Sequence, residues 1–317
     1  MSDDLPFTGE RFVPGVPGEI WVEHWHRYHF ASAWAAGRTV IDVACGEGYG
    51  TALLARAARA VTGVDVSAQA IAHARSTYGA LTNARFVEGS CTQLPFADAS
   101  VGLAVSFETL EHIEGQERFL DELARVLEPG GILLLSCPNK VEYSDKRNYA
   151  NEFHVKELYR DELAALVTAR FPHVRWYGQR PTFYSVIAPE EAAARAQLVE
   201  TSEKAPQETR ASLSHPLYFL VAASRSAAAL DGAPATLSVF ADRDDWAYND
   251  YVKVYRDLQV NAQRARTLEG ELAALREHCG AIEAELLDIK RREAEQLRSK
   301  LQAAHGGSRP GWRRWLK

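Results

Sequence analysis

No run of apolar residues in this chain reaches the roughly 20 needed to cross a bilayer as a helix, which excludes a helical membrane protein. Cysteine is scarce. The four, Cys45, Cys91, Cys137 and Cys279, show neither the paired spacing of a metal site nor a disulfide framework, and reduced thiols in the cytosol are expected. Basic charge is not in excess either: 36 Lys and Arg against 42 Asp and Glu leave a net charge of −6, so nucleic acid is not an expected partner. The opening Met1-Ser2-Asp3-Asp4 lacks the basic and apolar regions of a secretion signal, again as expected for a cytoplasmic protein. What is present is 317 residues, 46% of them apolar, ample for a core in one large domain or two smaller ones.

Residues 40–51 read Val-Ile-Asp-Val-Ala-Cys-Gly-Glu-Gly-Tyr-Gly-Thr, an apolar strand running into a loop with glycine at 46, 48 and 50. Glycine lets the backbone turn sharply there and leaves no Cβ between an amide and a bound ligand. Strand, glycine loop and helix together describe a nucleotide-type pocket at the carboxyl end of a parallel sheet. A dinucleotide dehydrogenase shares this outline, but its Gly-x-Gly-x-x-Gly differs from the spacing here. A second strand, Val61–Val64, ends at Asp65, where a carboxylate can accept from both hydroxyls of a ribose. Further strands are expected at Arg85–Val87, Val101–Ser106 and Ile132–Ser136; the first leads into Gly89-Ser90-Cys91, the second into Phe107-Glu108-Thr109-Leu110-Glu111-His112. Helical patterns near 50–60, 67–78, 116–128 and 157–171 alternate with them, and 173–178 and Leu217–Ala223 read as two more strands. The fold class is therefore α/β, a doubly wound sheet. The Ala/Glu-rich stretch 189–206 has helical composition.

This ordered set resembles the class I S-adenosylmethionine-dependent methyltransferases over roughly residues 8–224. The resemblance implies a Rossmann-like sheet with S-adenosylmethionine as cofactor, Asp42, Gly46 and Gly48 cradling its methionine part and Asp65 on its ribose. Ser90 stands where many relatives carry an acidic residue near the adenine amine, so its hydroxyl or the Cys91 amide substitutes there, and Phe107 joins the cofactor set. Thr8-Gly9-Glu10-Arg11-Phe12-Val13-Pro14, with Glu23-His24-Trp25-His26-Arg27-Tyr28 and 151–158, resembles bacterial methyltransferases of O-antigen and other cell-surface polysaccharides, some of them chain terminators. That implies a saccharide acceptor, a polysaccharide or a lipid-linked glycan. The first helix of class I enzymes commonly covers the cofactor, which makes Arg27 the partner of its methionine carboxylate; an amphipathic helix with Arg27 in solvent is the other reading. The same fold serves small-molecule methyltransferases of quinone or natural-product synthesis, and a cofactor domain without turnover would leave a scaffold.

Glu108-x-x-Glu111-His112 would place two carboxylates and an imidazole on one helix face, just past the fourth strand. Two hard oxygens and a nitrogen suit Mg²⁺ or Mn²⁺ better than structural zinc. A similar Glu-x-x-Glu-His occurs in methyltransferases of ubiquinone synthesis and of small-RNA 3′ ends, where it resembles a metal site completed by a later histidine; His154 stands in a comparable place. The alternatives are His112 as a metal-free general base and a first helical turn whose carboxylates complement the dipole.

After residue 225 the character changes. Residues 226–249 read as a linker, 250–304 as a coiled coil and 305–317 as a basic, aromatic tail. Tyr251, Val254, Leu258, Asn261, Ala265, Leu268, Leu272, Leu275, Cys279, Ile282, Leu286 and Ile289 recur in steps of three and four, a heptad seam. With Tyr251 at position a, Arg264, Glu271, His278 and Glu285 fall at g, opposite Glu269, Arg276, Glu283 and Lys290 at e. Those charges match in a parallel homodimer; a helix folded back on the first domain would not need the match. The tail Trp312-Arg313-Arg314-Trp315-Leu316-Lys317 suits the headgroups of an anionic membrane or a groove on an acidic partner, which implies a peripheral position at the inner membrane face.

Overall fold

The computed structural model describes residues 19–181, 198–200, 208–210, 213, 215–234, 237–240 and 246–306. The entry motif Thr8–Pro14 and the tail Trp312–Lys317 lie outside them. Two compact units divide the chain, Met1–Ala247 and Tyr248–Lys317.

In chain order the first unit runs α1 (Glu19–Ala35), β1 (Thr39–Val43), α2 (Tyr49–Leu54), β2 (Ala60–Asp65), α3 (Ala68–Tyr78), β3 (Ala84–Glu88), β4 (Val101–Phe107), a 3₁₀ turn (Leu110–His112), α4 (Gln116–Val126) and β5 (Leu127–Pro138). A π-helical turn (Val141–Asp145), α5 (Arg160–Thr168), β6 (His173–Gln179), the short pair β7 (Leu198–Glu200) and β8 (Glu208–Arg210), β9 (Tyr218–Ser224) and a 3₁₀ turn (Ala227–Leu230) follow. Of the stretch 189–206, where composition suggested helix, only Leu198–Glu200 lies among the described residues, and there it is strand, paired antiparallel with Glu208–Arg210; helix propensity is a weak prior that pairing overrides.

The main sheet has seven strands in the order β3-β2-β1-β4-β5-β9-β6. β3, β2, β1, β4 and β5 pair in parallel, while β9 runs antiparallel to both β5 and β6. Chain order reverses between β1 and β4, and the crevice beyond the carboxyl ends of those two strands is where a doubly wound sheet binds ligand. Alternation along the buried strands sends Ile41, Val43, Ala104, Leu133 and Leu135 to one face, with α4 and α5, and Val40, Leu103, Val105, Ile132 and Leu134 to the other, with α1 and α2. α4 shows how the sequence builds one face: Phe119, Leu120, Leu123 and Val126 recur at helical spacing and are fully buried.

Residues 226–234 are less of a linker than their polarity suggests. Leu230 is buried in the α1–α2 face, with Ala229 and Ala233 packed beside it. Farther on, Phe240 stacks on His26 and lies against Trp21 and His29 on α1.

The second unit is α6, Trp246–Gly306, a single helix of 61 residues. Its seam residues Leu258, Leu268, Leu272, Leu275, Ile282 and Leu286 are all exposed. Among the described residues no helix is long and apolar enough to cross a membrane.

Candidate active site

The loop after β1 is left-handed at alternate residues: Ala44 has φ +62°, Gly46 +54° and Gly48 +87°. Glycine is needed at 48 for that backbone and for packing, because a Cβ there would meet Phe86 at 2.6 Å and Ala74 at 2.8 Å. A Cβ on Gly50 would strike the Tyr28 ring. Both glycines thus admit neighbouring side chains, rather than only the close ligand approach read from the sequence. Asp65 braces the same loop by accepting from the amides of Gly46 and Ser67, each at 2.9 Å. Each oxygen keeps a second lone pair for an incoming hydroxyl.

Asp42 is fully buried and accepts from Tyr28 on α1 (3.0 Å) and Thr51 on α2 (2.6 Å). Burial pushes its carboxyl up to about 6, the two hydroxyl donors holding it below where burial alone would leave it. Between 3.8 and about 6 the unfolded chain has lost this proton while the folded one keeps it, so Asp42 lowers stability progressively across that window, by the full amount above about 6 and not at all below 3.8. We expect the melting temperature of Asp42→Asn relative to wild type to be higher at pH 7.5 than at pH 4, by an amount on the order of 3 kcal/mol of stability for the full shift, on top of a pH-independent loss because the Asn oxygen replaces only one of two acceptors. Thermal melts across that range check it; an equal difference at both ends would refute the assignment.

Arg27 is buried, 2% exposed, and the reading that left it in solvent is overturned. Its Nη1 lies 2.9 Å from Glu108 Oε1, its Nη2 4.0 Å from Glu23, and its guanidinium sits 4.7 Å over the Tyr218 ring. Burial alone would disfavour the charge, but Glu108 and Glu23 outweigh it and the pKa is raised. Glu23 is itself held by the Tyr218 hydroxyl at 2.9 Å. Yet Nε, Nη1 and Nη2 make no aligned hydrogen bond among the described residues, so the contact with Glu108 is one of charge. Buried donors without acceptors are costly, and a planar ligand carboxylate is the group that fits them.

The Glu108–His112 segment is not a helix face. Glu108 has φ +50°, a strained value for a side chain of its size, and only Leu110–His112 form a single 3₁₀ turn. As a result Glu108 turns to Arg27 and to the Ser136 hydroxyl, 2.5 Å away, while Glu111, His112 and His154 come together with ligand atoms within 4.8 Å of one another. The carboxylate pair expected on one face is thus divided, although Glu108 remains near enough to raise the pKa of Glu111. Burial first, then the Glu108 charge, hold the Glu111 carboxyl well above the usual range. Neither Glu111 oxygen has a hydrogen-bond partner among the described residues.

Neighbouring groups settle the tautomers of both histidines. His112 Nδ1 lies 3.0 Å from the Phe153 carbonyl, which can only accept, so Nδ1 carries a proton, which in the neutral ring leaves Nε2 as the acceptor atom. Asn151 Oδ1 accepts from the Phe153 amide, which turns its NH₂ to His154 Nε2 at 3.0 Å. His154 Nδ1 therefore carries the proton and donates to Glu157 at 2.6 Å. One carboxylate and two imidazoles suit Mn²⁺ better than Mg²⁺, which prefers oxygen; a cation on His154 Nε2 would displace the Asn151 amide.

In the turn after β3, the Ser90 hydroxyl is engaged with Thr92 at 2.9 Å, and Cys91 is half-buried. Phe107 is buried, edge-on to Tyr28 at 5.2 Å, and so supports α1. Val66, directly after Asp65, is 75% exposed at the carboxyl edge of the sheet.

Residues 41–135 match the family described as a methyltransferase domain. A Mycolicibacterium smegmatis protein named as a probable S-adenosylmethionine-dependent methyltransferase is 40% identical over 178 residues, 54% of this chain and 67% of that protein. A Mycobacterium tuberculosis protein of the same description is 38% identical over 169 residues, 51% of this chain, and the match spans only 60% of its length. An O-methyltransferase of Aspergillus sclerotiorum is 34% identical over 116 residues, 33% of this chain and 44% of that one. With the doubly wound sheet, the left-handed glycine loop and these matches in hand, the chain belongs to the class I S-adenosylmethionine-dependent methyltransferases.

Proposed function

We propose that the chain is an O-methyltransferase acting on a sugar hydroxyl of a cell-surface polysaccharide or its lipid-linked precursor. The observation that carries oxygen transfer is the convergence of Glu111, His112 and His154 past β4, beside the crevice between β1 and β4. Similarity to the Aspergillus O-methyltransferase supports the same choice. The sugar rests on the likeness of the entry helix and of the 151–158 segment, which contributes His154, to polysaccharide methyltransferases.

Arg27 would hold the methionine carboxylate of the cofactor, Asp42 with the Gly46–Gly48 loop its amino end, Asp65 its ribose, and Val66 with the Ser90–Cys91 turn its adenine. S-adenosylmethionine supplies a methyl group on a positively charged sulfur that leaves without acid assistance. A sugar hydroxyl is a poor nucleophile at neutral pH, so the remaining work is to remove its proton. A divalent cation held by Glu111, His112 and His154 would lower the hydroxyl pKa and orient two vicinal oxygens. Without a cation, His112 Nε2 would instead take the hydroxyl proton, with Nδ1–H directed to the Phe153 carbonyl.

The test is transfer of labelled methyl from S-adenosylmethionine to candidate acceptors. Label in the saccharide fraction is expected. Label confined to aromatic or quinone acceptors would replace the acceptor class, and cofactor binding with no transfer would leave a scaffold. The same reading includes a parallel homodimer through α6 and a cytoplasmic enzyme at the inner membrane face, the latter supported by the two Trp-Arg pairs of the tail.

A further inference from the structure

We propose that Glu157, held in turn by Ser144, is the positioning residue of His154, fixing the imidazole as the Nδ1-protonated tautomer whose Nε2, held here by the Asn151 amide at 3.0 Å, would be its ligand atom; this rests on the active-site reading above. His154 is nearly enclosed, its side chain 7% exposed and that of Glu157 8%. Glu157 Oε1 takes the Nδ1 proton at 2.6 Å, and Oε2 accepts from the Ser144 hydroxyl, also at 2.6 Å. The carboxylate therefore has both oxygens engaged and cannot swing away without breaking two charge-assisted bonds. Ser144 lies in the π-helical turn Val141–Asp145 that leaves β5. From the same turn Tyr143 stacks on the His154 ring, centroids 5.5 Å apart at 28°. Edge-on to that ring, at 4.9 Å, stands His112.

One short irregular turn thus grips His154 twice, by its ring face through Tyr143 and by its Nδ1 through Ser144 and Glu157. An imidazole free to flip would present either nitrogen; this one is committed. A carboxylate on the far nitrogen also makes the near nitrogen a better electron donor. His112 differs in kind, since its Nδ1 rests on a neutral carbonyl.

Two measurements on the full-length protein test this. The first is the His154 tautomer by ¹⁵N NMR, read without any metal. In Asn151→Ala protein the ring should remain Nδ1-protonated, because Glu157 still accepts that proton; adding Glu157→Ala should shift it to the Nε2-protonated form. An unchanged tautomer in the double variant would overturn the proposal. The second is Mn²⁺ affinity by calorimetry, with S-adenosylhomocysteine affinity as the control for folding. Glu157→Ala should weaken Mn²⁺ roughly 10- to 100-fold, Glu157→Gln less because its amide oxygen still accepts, and Ser144→Ala least, all with unchanged S-adenosylhomocysteine binding. Wild-type Mn²⁺ affinity in Glu157→Ala would also sink it. Should the wild type bind no Mn²⁺ at all, the metal reading fails while the tautomer result still decides the role of Glu157.

Discussion

Glu111→Gln and His154→Ala proteins are expected to bind S-adenosylmethionine like the wild type and to turn over roughly 100- to 1,000-fold more slowly, the scale of losing one preorganised group at a reaction centre. The reason lies in how the site is divided. In the proposed site Arg27, Asp42 and Asp65, on α1, β1 and β2, would hold the cofactor, whereas Glu111 and His154 come from the turn after β4 and the segment before α5. On that reading, removing either of the latter should leave the cofactor contacts intact. Glu111→Gln is also mild for the fold, since burial already favours the uncharged acid and glutamine has nearly the same shape. A chelator should produce the same loss, reversed by Mn²⁺ more readily than by Mg²⁺ given two nitrogens and one oxygen. Full activity in excess chelator would remove the cation and leave His112 as a metal-free base. Reduced cofactor affinity in both variants would instead mean that the cluster belongs to the cofactor pocket.

Local signals carried most of the fold. The mostly apolar runs at Val40–Val43 and Val101–Ser106, bounded by turn signals, read as buried strands and are, and the helix expected at 67–78 appears as Ala68–Tyr78 with Ser67 as its cap. The glycine loop and Asp65 fall where the pattern put them. What failed was the geometry of a short segment whose conformation is set from outside. Spacing alone makes Glu108, Glu111 and His112 neighbours on a helix. The observed backbone at Glu108 is left-handed instead, and its carboxylate is held by Arg27, 81 positions earlier, and by Ser136 on β5. No local pattern encodes such long-range pairing. Glu157 escaped notice for a similar reason: it reads as one more acid before a helix until folding sets it against His154 and Ser144. Phe240 likewise gains meaning only when it reaches α1 across the chain.

The second large effect is expected in assembly. A helix of 61 residues, about 90 Å long at 1.5 Å per residue, exposes Leu258 at 65%, Leu268 at 55% and Leu275 at 60%. Single exposed leucines are ordinary, but a continuous seam of them in steps of three and four is the pattern a second helix covers. Charge selects the orientation. Arg264, Glu271, His278 and Glu285 oppose Glu269, Arg276, Glu283 and Lys290 only when two copies run parallel and in register. Cys279 makes that register measurable, because it occupies an a position, is exposed and carries a free thiol. In the parallel arrangement the two thiols face each other, and a mild oxidant such as diamide should link them into a covalent dimer that Cys279→Ser abolishes. In an antiparallel pair centred on the seam, Cys279 would lie opposite Asn261 and the thiols would be about 27 Å apart, too far to bridge. Light scattering should report a dimer for the full chain, a monomer when residues 250–317 are removed, and a monomer for the double variant Leu268→Glu, Leu272→Glu. Dimerisation that survives both changes would assign self-association to the first unit; a dimer that diamide cannot link would reverse the orientation argued from the charges.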